Sequence, residues 1–204
     1  MPTTPFALDA RLRRAARLPA LPGAGAAGLT RLELAVLLGA GVVASLLTNV
    51  LRLRLGIPGS NIAFVSFPLA LGFALVPRRG AGLVMAGGAL ATNAGLALAG
   101  AHLDGVGAQT SLLLTGPLLD LALRWRGGGW RLYVAFIAAC ATSNAFAFVV
   151  RGIARAAGVR GTGMGGGRTM AEWWPEAVWT YAAAGLVAGL ISAAAWFHLR
   201  ERAE

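Results

Sequence analysis

Leu32-Glu33-Leu34-Ala35-Val36-Leu37-Leu38-Gly39-Ala40-Gly41-Val42-Val43-Ala44-Ser45-Leu46-Leu47-Thr48-Asn49-Val50-Leu51 is a run of twenty residues whose one charge, Glu33, sits at its start. As a helix it extends about 30 Å, the thickness of a bilayer's hydrocarbon layer. Further apolar segments follow near 59–77, 80–100, 108–124, 131–151 and 174–199. The reading is an all-α integral membrane protein, a bundle of six transmembrane helices in a single domain over 32–204. Composition agrees. Of 204 residues, 57% are hydrophobic and 13% charged, about half the charged fraction of a soluble domain.

The net charge of +10 comes entirely from arginine on the basic side. These arginines lie between apolar runs rather than on one basic face. They read as topology determinants and contacts to membrane lipid, with no nucleic acid partner. With the N-terminus in the cytoplasm, 12 arginines fall inside and 6 outside. That split favours the cell (inner) membrane with both termini cytoplasmic. Residues 1–31 form a basic cytoplasmic segment, either a short amphipathic helix on the membrane surface or a disordered tail. Arg78-Arg79-Gly80 leaves room for a tight turn alone, which makes the second and third helices antiparallel neighbours.

Small residues recur at four-residue spacing, as Gly87, Ala91, Gly95 and Ala99 in the third segment. The sixth has Ala184, Ala188 and Ser192, beside Gly185, Gly189 and Ala193. The first has Ala35 with Gly39 and Ala40 with Ala44. Such faces allow close helix approach, either within the chain or against another membrane subunit.

Several polar groups interrupt the apolar runs. After the first segment comes Gly56-Ile57-Pro58-Gly59-Ser60-Asn61, where Ser60 or Asn61 is placed to cap the next helix. This loop reads either as a sharp turn or as an anion site at a helix start. The fourth segment holds Gln109, Thr110, Ser111, Thr115, Pro117 and Asp120. Asp120 is an intramembrane acid, which reads either as a functional group or, more simply, as a structural pair with Arg124, Arg78 or Arg79. Thr92 and Asn93 lie at a depth similar to Thr142, Ser143 and Asn144. They make either interhelical hydrogen bonds or, where they converge, a polar cavity. Glu172-Trp173-Trp174-Pro175-Glu176-Ala177-Val178-Trp179-Thr180-Tyr181 opens the sixth segment. It reads as an interfacial belt or as contact with a flat or cationic ligand. Cys140 lies in an apolar run and reads as a packing residue. Gly161, Gly163 and Gly166 follow no strand and read as loop. His102 and His198 have no metal-ligand spacing, and no cofactor is implied. Neither an HExxH motif nor a nucleophile elbow is present, so no enzyme reading gains support.

Six helices in about 200 residues, a small-residue face on the first, a Gly/Pro loop after it and an aromatic start to the sixth together resemble the substrate-binding S-components of energy-coupling factor (ECF) transporters. The resemblance covers residues 32–199 and rests on layout. It implies a substrate-capture subunit for a small water-soluble, vitamin-like compound. A transmembrane scaffold subunit and ATPases would then be supplied by other chains. It implies docking to the scaffold through Ala35, Gly39, Ala40 and Ala44, although the family's usual alanine spacing is not cleanly present. It also implies a pocket under the first loop and between the last three helices, involving Asn61, Gln109, Asn144, Glu172, Trp173, Trp174 and Trp179. The start Met1-Pro2-Thr3 departs from the Met-His start of the cobalt and nickel branch. The alternative is a structural or assembly subunit that uses its small-residue faces to hold a larger membrane complex.

Overall fold

A computed structural model describes residues 29–51, 59–124, 130–158 and 170–203. Apart from its last three residues, the basic segment over 1–31 lies outside them, as do Arg52, Arg54, Trp125 and the glycines of the 161–166 run. All regular structure among the described residues is helical. Each of the six expected segments holds one helix: α1 Arg31–Leu46, α2 Asn61–Leu75, α3 Ala81–Leu98, α4 Val106–Arg124, α5 Trp130–Ala156 and α6 Met170–Ala203. A π-helical turn, Leu47–Leu51, continues α1.

The helices alternate in direction and close into a ring in the order α1, α3, α4, α5, α6, α2. Helix α2 is drawn inward and touches all five others. Its sequence explains this position. It has no polar face to turn outward, and Ile62, Val65, Ser66, Leu69, Ala70 and Phe73 are all buried. A helix apolar on every side suits the middle of a bundle. The turn at Val76–Gly80 is as tight as expected, with Gly80 at φ +81°. Even so, α2 and α3 touch only lightly, and α3 packs chiefly on α1 and α4. Small residues decide that pairing. A methyl added to Gly88 would stand 2.7 Å from the Leu38 carbonyl oxygen of α1, and one added to Gly41 would overlap the Met85 carbonyl of α3.

Two glycine faces compete on α3, and the expected one points away from the bundle. Gly87, Ala91, Gly95 and Ala99 are exposed, whereas Met85, Ala89 and Asn93 are buried. Both small faces of α6 do lie inside. A methyl on Gly185 would come within 2.8 Å of Ala141 Cα on α5. Ser192 donates to Ser66 of α2 at 2.9 Å. Gly185→Val is therefore expected to destabilise the protein by about 2–3 kcal/mol through overpacking against rigid backbone. Gly87→Val has nothing within 4 Å to meet, so the two melting curves in detergent should separate while Gly87→Val overlays the parent.

One end of the bundle gathers the start of α1, the α2–α3 turn and the end of α4. Thr30 and Glu33 form a capping box on α1, satisfying orphan amides of its first turn. Glu33 also pairs with Arg78, at 2.9 Å. Asp120, for which the sequence suggests an arginine pair, is held chiefly by backbone donors, with the Arg124 charge a lesser attraction. Its two carboxylate oxygens accept from the backbone N–H groups of Gly80 and Leu83, each at 3.1 Å. Asp120 therefore caps α3 from across the helix interface. The capping residue is remote because Gly80, at the N-cap of α3, has no side chain to do it.

Four helices, α1, α3, α5 and α6, are long and apolar enough to cross a membrane. Helix α2 has 15 residues, and α4 carries the polar residues noted above. Polarity is inverted relative to a soluble domain. Asn49, Asn93, Ser143, Asn144 and Asp120 are buried, while Leu83, Leu98, Ile153, Trp179 and Val187 are exposed.

Candidate functional site

Opposite the capped end lie the close of α1, α3 and α5 and the start of α2, α4 and α6. Two side-chain clusters occupy this end, on either side of the first turn of α2.

The first cluster is built from amides. In the π-helical turn of α1, Thr48 Oγ1 donates to the Ala44 carbonyl at 2.8 Å and Asn49 Nδ2 to the Ser45 carbonyl at 2.9 Å. Asn49 Nδ2 also donates to Asn93 Oδ1 of α3 at 2.8 Å. Asn93 Nδ2 donates to Gln109 Oε1 of α4. Gln109 Nε2 returns to Asn49 Oδ1 at 3.2 Å. Three primary amides from three helices thus close a ring in which each donates to the next. Ser45 Oγ adds a bond to Asn93 Oδ1 at 2.6 Å, and the Asp104 N–H one to Asn49 Oδ1 at 2.9 Å. The Asp104 carboxylate accepts from Asn61 Nδ2 at 2.8 Å, which ties α2 to the same cluster. Such a closed network is satisfied internally, and bonds in a low-dielectric interior reinforce one another.

The second cluster joins α5 to α6. Trp173, Ala177 and Tyr181 follow at four-residue spacing and are buried, with Phe148 of α5 among them. Phe148 stacks on Trp173 with ring centres 5.4 Å apart and meets Trp174 at 4.8 Å and Tyr181 at 5.4 Å. The Arg155 guanidinium lies 5.5 Å from the centre of the Trp173 ring. Arg151 donates to Tyr181 Oη at 3.0 Å. Asn144 Nδ2 donates to the Tyr181 carbonyl at 2.6 Å and to the Gly59 carbonyl at 3.4 Å. Gly59, at φ +83°, is the last residue but one before α2.

The seven substrate-binding candidates therefore divide. Asn61 and Gln109 belong to the amide cluster, and Asn144 and Trp173 to the aromatic one. Trp174 stands half exposed at the rim of the latter. Glu172 and Trp179 face outward, Trp179 at 77% exposure. The mid-helix polar groups do not converge on one cavity. Asn93 turns to α1 and α4, Asn144 to α6 and α2, and Ser143 pairs with Thr115 of α4 at 2.8 Å. Thr92 bonds back to the Gly88 carbonyl of its own helix at 2.8 Å. Ser60 makes no side-chain cap, and Asn61 reaches Asp104 instead.

The four docking candidates also divide. Ala35 and Gly39 face outward, and a methyl on Gly39 would have nothing within 4 Å. Ala40 packs on the core beside Gly72, and Ala44 is fully buried. Cys140 is buried against Ile62 and Ala188.

Sequence reading overlooked Ser45, Asn49, Asp104, Phe148, Arg151 and Arg155. Ser45, Thr48 and Asn49 share one helical face at i, i+3 and i+4 in an otherwise apolar segment, which is a usable signal of an inward polar contact. Likewise Phe148, Arg151 and Arg155 share a face of α5. Compared with known protein families, curated proteins and solved structures, the chain finds no match.

Proposed function

We propose that this chain is a multi-pass protein of the cell membrane that captures a small water-soluble, vitamin-like compound and delivers it through partner chains. It would act as a binder rather than an enzyme, as the substrate-capture subunit of an ECF-type importer. The observation that carries the reading is the gathering of polar and aromatic side chains from all six helices at one end of an otherwise apolar bundle. The arginine split supports turning that end outward, because the opposite end carries Arg78, Arg79, Arg124 and Arg131. The inverted polarity of the bundle supports lipid as its solvent.

The purified protein is expected to bind one member of a water-soluble vitamin panel tightly. Trp173→Ala is expected to lower cellular uptake of that compound at least tenfold, an effect on the order of 1.4 kcal/mol. A panel without binding, together with uptake unchanged in Trp173→Ala and Trp174→Ala, overturns the reading.

A second reading, an assembly subunit of a larger membrane complex, is favoured by one observation. Gly39 of α1 and Gly87 and Gly95 of α3 leave open space where a side chain would stand. Smooth outer faces of this kind admit another helix closely. Co-purification separates the two. ECF-type ATPases in the eluate support import, and a different stable complex supports assembly.

A further inference from the structure

Helix α6 opens on a tryptophan whose ring and nitrogen fare differently. The Trp173 ring stacks on Phe148, and Ala147, Ala177 and Tyr181 complete the cluster around it. The nitrogen has no such company. Trp173 is 4% exposed, and among the described residues its indole Nε1–H has no hydrogen-bond partner. A buried donor left unpaired is costly, and the large majority of such groups in folded proteins are satisfied. The stack itself needs no donor, and phenylalanine would serve it.

The missing partner must be an acceptor, because indole nitrogen donates and cannot accept. Arg151, Arg155, Glu172 and Glu176 at this corner are each engaged already within the chain, and a neutral acceptor suffices. A water molecule would bring two hydrogens of its own. Of the side chains in the cluster, only Tyr181 has an oxygen, and Arg151 already donates to it. A lone water would therefore be short of partners. An ester carbonyl suits the corner better, because it accepts, donates nothing and arrives on an apolar body.

Position supplies the source of that ester. Trp173 lies two residues inside Ala171–Trp196, a stretch long and apolar enough to cross a membrane. In a bilayer it would sit near the boundary of hydrocarbon and headgroups, the depth of lipid ester groups and the usual place of tryptophan. Val149, Ile153 and Val178, on neighbouring turns of α5 and α6, present exposed apolar side chains along which acyl chains can lie. We infer that the corner between α5 and α6 is a binding site for a glycerolipid, with Trp173 Nε1 donating to an acyl ester carbonyl. This rests on the membrane part of the reading above and not on import. The Trp173 ring then serves the aromatic cluster, and its nitrogen serves the lipid.

The test uses the full chain, labelled with nitrogen-15 and purified in a maltoside detergent, which has no carbonyl group. The Trp173 indole resonance is assigned by its disappearance in Trp173→Phe, which keeps an aromatic ring and deletes the donor, or by elimination from single replacements of the other tryptophans. Two lipids with the same headgroup and chain length are titrated: dimyristoylphosphatidylcholine, a diester, and its ditetradecyl ether analogue, which lacks both carbonyls. The expected result is a saturable downfield shift of the Trp173 resonance with the diester and not with the diether. The diester is expected to bind about fivefold more tightly, the scale of one hydrogen bond. In Trp173→Phe the two lipids are expected to bind alike. In parallel, the chain is reconstituted into vesicles of the same diester and floated on a density gradient. If it does not float with them, the membrane reading fails and the ester site with it. If it floats and the Trp173 resonance stays still, or answers ester and ether equally, the ester site alone is overturned. An ester preference that persists in Trp173→Phe overturns it too.

Discussion

Asp120→Ala is expected to lower the stability of the detergent-solubilised protein by about 2–3 kcal/mol, the range for removing a charged acceptor from buried donors. For a chain of this size that is a fall of about 5–10 °C in melting midpoint. The carboxylate receives the N–H groups of Gly80 and Leu83 at the start of α3, where the positive end of the helix dipole adds to the attraction. Asp120→Asn keeps one acceptor oxygen and is expected to lose about half as much. Arg124→Gln is the discriminating control. A carboxylate held by its i+4 arginine would make both replacements costly, whereas a carboxylate that caps α3 leaves Arg124→Gln near the parent midpoint. Equal losses in the two variants would sink the capping account.

Asn93→Leu is expected to be comparably damaging, at about 3 kcal/mol, measured as the midpoint of unfolding in sodium dodecyl sulfate. The amide serves α1 and α4 at once, through Ser45, Asn49 and Gln109. Single hydrogen bonds between membrane helices contribute about 0.6 kcal/mol on average. The larger loss follows because deletion removes bonds to three partners at once, leaving the Gln109 carbonyl oxygen without its donor. The combined replacement Asn49→Leu, Asn93→Leu, Gln109→Leu should therefore be milder than the sum of its parts, since it removes donors and acceptors together. Strict additivity across the set would show that the ring does not act as a unit.

Among the described residues, the number of helices and their approximate limits were legible in the sequence, because apolar length is a local property that survives any packing. Partnerships were not. Asp120 stands four residues from Arg124, and that spacing suggests a pair, yet its actual donors lie 40 and 37 positions away. No spacing rule reaches across a helix interface whose pairing is unknown. On α3 the exposed face of Gly87, Ala91, Gly95 and Ala99 has the more regular pattern. The buried face has the polar residue, Asn93, and an amide's need for partners was the stronger clue. In α6 small residues occupy two adjacent faces, and both pack within the chain. At the candidate site, Asn61, Gln109, Asn144 and Trp173 were recognisable as polar or aromatic groups out of place in apolar runs. Their division into two clusters was not, since it depends on α2 entering between them.

The unequal helix lengths would matter to any lipid around the bundle. At 1.5 Å per residue, α6 with its 34 residues extends about 50 Å. Helix α4, with 19 residues, extends about 28 Å. Its first turns carry Gln109, Thr110 and Ser111, so its apolar length is shorter still. Within a bilayer the belt of hydrocarbon contact would not have even height around the ring. Acyl chains beside α4 would have to shorten or tilt, while those beside α6 could stay extended. Such mismatch costs fractions of a kcal/mol per Å. In a bilayer that would be enough to bias the bundle's orientation, with α6 leaning and α4 drawing the headgroups inward on its own flank.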